Sequence, residues 1–142
     1  MDAYKVLLGE ILIQRNQITR EQLEGALQVQ KQKGGYLGEI LVDMGALDER
    51  DIVVALVIQC GLPYIAVNKY AIDPQIVRLI PQEVAKKEKV IALDRIGEVL
   101  SVVMVNPLTD DKKDYLEKLT KCRVATFIST RTEIEEAIAR NY

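Results

Sequence analysis

The chain has no histidine, no tryptophan, one phenylalanine and two cysteines in 142 residues. Without histidine there is no Ser-His or Cys-His nucleophile system, and the commonest general base near neutral pH is missing. Two cysteines without histidine cannot complete a tetrahedral zinc site. Cys60 and Cys122, each set among apolar neighbours, read as reduced core thiols. No apolar run approaches the roughly 18 residues that suggest a membrane span. Met1-Asp2-Ala3-Tyr4-Lys5 does not open a signal peptide. The reading is therefore a cytoplasmic chain without direct membrane insertion. Net charge is −2, with Lys and Arg scattered rather than blocked, which argues against a DNA or RNA surface. Neither G-x-x-x-x-G-K-[ST] nor G-x-G-x-x-G occurs, so no glycine loop cradles nucleotide phosphates. Asp110-Asp111 with Asp114 reads as the acidic first turn of a helix rather than a cation site. No catalytic residue, metal site or resident cofactor is expected, and the chain is read as not an enzyme.

What is present is an ordinary globular balance, 49% apolar and 28% charged, and a repeat. Leu8-Gly9-Glu10-Ile11-Leu12 returns as Leu37-Gly38-Glu39-Ile40-Leu41, an offset of 29 residues. Over Leu8–Gln30 against Leu37–Gln59, 8 of 23 positions are identical without a gap, among them Ala26/Ala55, Leu27/Leu56 and Gln30/Gln59. Two copies are too few for a solenoid. A duplicated helical unit either packs on itself or holds a pseudo-symmetric ligand.

The fold class expected is α+β: a lobe of two duplicated helical hairpins over 1–62, then a small α/β lobe over 63–142 with three or four strands, forming one compact unit. Apolar spacing predicts a helix over Asp2–Arg15. Thr19 and Gln22 form a capping-box pattern before a second helix carrying Leu23, Leu27 and Gln30 on one face, and Gly34-Gly35 ends it. The second copy repeats the plan with a helix over Leu37–Met44, a turn at Gly45, an N-cap at Asp48 and the stripe Ile52, Leu56, Gln59. Pro63–Val67 reads as extended. Asp73-Pro74 opens a helix through Leu79, and Pro81 restarts one through about Lys87. Val90–Leu93 and Val99–Val105 read as a hairpin around Gly97, with the second strand central because it lacks polar alternation. A helix over Asp110–Thr120 turns Tyr115, Leu116 and Leu119 inward. Its crossover makes the strand Arg123–Ile128 parallel to its predecessor. Thr130 and Glu133 cap a last helix to about Arg140.

Taken together, these residues resemble the MshEN-type N-terminal domain of type II secretion and type IV pilus-assembly ATPases, the GspE and PilB class. That family carries paired motifs at the 29-residue period seen here. They map onto Leu7-Leu8-Gly9 with Leu23, Leu27 and Gln30, and onto Tyr36-Leu37-Gly38 with Ile52, Leu56 and Gln59. The likeness continues through Gly61-Leu62-Pro63-Tyr64, Ile72-Asp73-Pro74, Leu79-Ile80-Pro81 and Val103-Met104-Val105-Asn106-Pro107. It implies a non-catalytic regulatory domain that docks to secretion or pilus-assembly proteins and is recruited to the inner membrane by them. It also implies an alternative, a sensor for cyclic di-GMP as a regulatory ligand. In that alternative Leu7, Leu8, Gly9, Leu23, Leu27, Gln30, Tyr36, Leu37, Gly38, Ile52, Leu56 and Gln59 form the binding set. Gly9 and Gly38 would allow close approach, and the glutamines would meet guanine edges. Where the family motif has an arginine ahead of Leu-Gly, this chain has Leu7 and Tyr36. The same apolar residues also suit a helical core, and the repeat alone leaves both readings open.

Overall fold

The computed structural model describes the backbone of residues 3–142 and the side chains from Leu8 onward, Gln59 excepted. The chain divides into two compact units, Met1–Gly61 and Leu62–Tyr142. The first contains α1 (Ala3–Gln14), α2 (Arg20–Lys33), α3 (Leu37–Asp43) and α4 (Glu49–Cys60). The repeat extends well below the level of residue identity. At the end of α1, Asn16 N–H donates to Ile13 O and Gln17 N–H to Leu12 O; at the end of α3, Gly45 N–H donates to Val42 O and Ala46 N–H to Leu41 O. Both exits need a left-handed residue, supplied by Asn16 (φ 58°) and Gly45 (φ 77°). Asn serves because its short polar side chain tolerates this region better than most.

The helix starts are duplicated with different chemistry. Thr19 N–H donates to Gln22 Oε1 at 2.8 Å and Gln22 N–H returns to Thr19 Oγ1 at 3.1 Å. Asp48 N–H donates to Asp51 Oδ2 at 3.1 Å and Asp51 N–H returns to Asp48 Oδ1 at 3.0 Å. In each pair two orphan helix-start groups are satisfied reciprocally. Helix α2 packs on α3, and α4 packs on α1, while α3 also touches α4 and α1. Exchanging the two copies carries the α1–α4 packing onto α3–α2. The hairpins therefore interlock rather than lie side by side.

The second unit holds a 3₁₀ turn (Val67–Lys69), α5 (Pro74–Val77), α6 (Gln82–Glu88), β1 (Val90–Ile96), β2 (Val99–Met104), α7 (Asp110–Thr120), β3 (Arg123–Ile128) and α8 (Arg131–Asn141). The α+β class and a three-stranded sheet are as expected, with order β1-β2-β3, the first pair antiparallel and the second parallel. Strand β1 runs past Leu93 to Ile96 because an irregularity between Ala92 and Asp94 lets the polar Asp94-Arg95 stay paired. Pro63–Val67 is not a full strand: Ile65 N–H donates to Ile128 O and Ile128 N–H to Pro63 O, a single bridge beside β3. This lead-in is pinned further. Tyr64 Oη donates to Glu133 at 2.6 Å, Asn68 Nδ2 to Glu136 at 2.7 Å, and buried Ser129 donates to Ile65 O. Arg140 donates to the carbonyls of Asn68 and Tyr70.

Two expectations about burial need correcting. On α7, Leu116 is buried, but Tyr115 and Leu119 are 51% and 37% exposed. The buried line of α7 runs through Leu116 and Thr120, one helical turn apart, which leaves their neighbours at the rim. Cys122 is buried as a core thiol, whereas Cys60 is exposed in the last turn of α4. Among the described residues no helix is long and apolar enough to cross a membrane, and no group of His, Cys, Asp or Glu is placed to hold a metal.

Candidate functional site in the duplicated helical lobe

The side chains of Leu7 and Gln59 lie outside the described residues. Of the remaining candidates, Leu8, Gly9, Leu23, Leu37, Gly38, Ile52 and Leu56 are buried. The two glycines have a specific packing reason. A Cβ on Gly9 would stand 2.9 and 3.0 Å from the two Cδ atoms of Leu23, and one on Gly38 would stand 3.3 Å from Ile52 Cγ2. Carbon atoms prefer roughly 3.5–4.0 Å. Each Leu-Gly therefore receives a large apolar side chain from the second helix of its own hairpin. Gly9 with Leu23 maps onto Gly38 with Ile52 under the repeat, so the motif encodes a duplicated helix crossing.

The expected stripe on α2 is rotated. Leu23 and Ala26 are buried, while Leu27 is 39% exposed although its repeat partner Leu56 is 1% exposed. The buried line leans toward Ala26 and puts Leu27 on the rim. Gln30 sits half-buried at the end of α2, where its Nε2 donates to Gly35 O at 3.0 Å. That bond supports the Gly34-Gly35 exit, whose residues have φ of 73° and 98°. Gln30 thus ties the last turn of α2 to the linker that follows it. Tyr36, half-buried, is the N-cap residue of α3 and makes no side-chain capping bond there. Leu27, Gln30 and Tyr36 are the candidates that solvent reaches among those described.

In the second unit the hydroxyl of Tyr142 is shifted from its ordinary range. Burial pushes it up to about 12. Its Oη lies 2.7 Å from Ile80 O and 3.0 Å from Val77 O, so the neutral phenol donates to the last residue of α5 and to the turn that follows it. A groove of about 380 Å³ in the same unit, lined by Gln82, Lys86, Lys89, Glu135, Ile138 and Ala139, was not foreseen from the sequence. Its walls are mostly surface side chains of mixed charge, without a convergent reactive set.

Comparison with known sequences decides the family. The profile of the MshEN domain matches residues 60–142. The chain belongs to the MshEN domain family. The profile begins at Cys60, past the repeat, so the match is carried by the α/β unit and its lead-in. Longer alignments cover the helical unit as well. The chain is 36% identical over 135 residues to the type IV pilus assembly ATPase PilB of Myxococcus xanthus, and 35% identical over 137 residues to PilB of Thermus thermophilus, each alignment covering 95% of the chain. This MshEN chain spans only 24% and 15% of those two proteins. Among solved structures, that of MshE with cyclic di-GMP aligns at TM-score 0.76 and 26% identity, covering 95% of this chain and 98% of the other. The N-terminal domain of XpsE aligns at TM-score 0.82 over 100% of this chain and 98% of its own; at 18% identity this supports the fold alone.

Proposed function

We propose that this MshEN domain is a non-catalytic regulatory and interaction module that docks to secretion or pilus-assembly machinery. The observation that carries the proposal is the 36% identity with PilB along 95% of the chain, combined with a span of only 24% of that ATPase. No Walker A sequence occurs within the 142 residues. The module works in the cytoplasm, and its partners bring it to the inner membrane. Crosslinked affinity capture with the intact chain, read by mass spectrometry, tests this. Enrichment of pilus- or secretion-assembly proteins is expected, and repeated recovery of none would overturn the reading.

A second reading, a cyclic di-GMP sensor, is favoured by the likeness to MshE, whose structure contains that ligand. In it Leu7, Leu8, Gly9, Leu23, Leu27, Gln30, Tyr36, Leu37, Gly38, Ile52, Leu56 and Gln59 form the two half-sites. Leu7 and Tyr36 weigh against it, because they occupy the positions at which the family motif has arginine. A hydrogen bond to a charged group is worth about 1.5–3 kcal/mol. Losing two costs about 3–6 kcal/mol, or roughly two to four decades of affinity. Stacking of Tyr36 on a base would recover about 1–3 kcal/mol. The deficit exceeds the recovery over most of that range, which places docking ahead of ligand sensing.

A further inference from the structure

We draw no further inference here: the strongest candidate, the exposed apolar face of α4 formed by Val54, Val57 and Ile58, carries none because nothing in the structure shows what covers it.

Discussion

Substituting Gly9 tests whether the Leu-Gly motif is a packing device. In Gly9→Ala the new methyl lands 2.9–3.0 Å from both Cδ atoms of Leu23, a residue 6% exposed with little room to swing away. Overpacking of this kind costs about 1–3 kcal/mol, while replacing glycine by alanine inside a helix contributes about 1 kcal/mol of stability. The net expectation is a loss of about 1 kcal/mol. In a Leu23→Ala background the obstructing atoms are gone, so Gly9→Ala should stabilise by about 1 kcal/mol. The sign of the effect reverses, giving a coupling near 2 kcal/mol, within the range for residues in contact. Gly38→Ala is the milder case, since its methyl meets Ile52 Cγ2 at 3.3 Å; it should fall within about 0.5 kcal/mol of neutral as helix gain and crowding cancel. Urea unfolding of the four variants of the Gly9–Leu23 cycle, followed by circular dichroism, measures this. Stabilisation by Gly9→Ala in both backgrounds to the same extent would refute the packing account of the motif.

Asn16 holds a left-handed turn that Gly45 holds in the other copy, so Asn16→Gly should stabilise by about 0.5 kcal/mol and Asn16→Ala should destabilise by about 1 kcal/mol, read as shifts in urea midpoint. Gln30→Ala removes the bond to Gly35 O and should accelerate hydrogen exchange at the Gly34 amide, with a stability loss of about 0.5–1 kcal/mol; unchanged exchange would count against the side chain's holding the exit from α2. Tyr142→Phe should cost about 1 kcal/mol by leaving the carbonyls of Val77 and Ile80 without the phenol. Because burial pushes the folded hydroxyl up to about 12 from its ordinary value of 10.0, its contribution is complete below pH 10.0 and is lost as pH rises through about 12. Wild type should therefore lose stability over that window faster than Tyr142→Phe does.

Much of the fold was legible because the signals are local. Thr19 with Gln22, Thr130 with Glu133, Asp73-Pro74 and the Gly97 turn each act over two to four residues, and each lies where its chemistry indicated. The second capping box was only half visible, since Asp51 does the work usually done by Glu or Gln at that position. Orientation around a helix axis was harder to read. Leu27, Tyr115 and Leu119 sit at stripe edges, where a small rotation decides burial, and spacing alone does not fix that rotation. The packing role of Gly9 was hidden because it depends on Leu23 arriving from another helix. The clamps made by Ser129, Arg140 and Tyr142 likewise join residues more than 60 positions apart, beyond any window of sequence pattern.

The proposed docking role leaves the repeat's apolar motif residues in their own helical core rather than on a dinucleotide. Calorimetric titration of the intact chain with cyclic di-GMP tests that division most directly. No saturable heat is expected at micromolar ligand, since the two missing charged contacts outweigh stacking by Tyr36 over most of their range. A saturable isotherm with a Kd of about a micromolar or tighter, two ligand halves per lobe, and loss of binding in Gln30→Ala or Tyr36→Ala would contradict it.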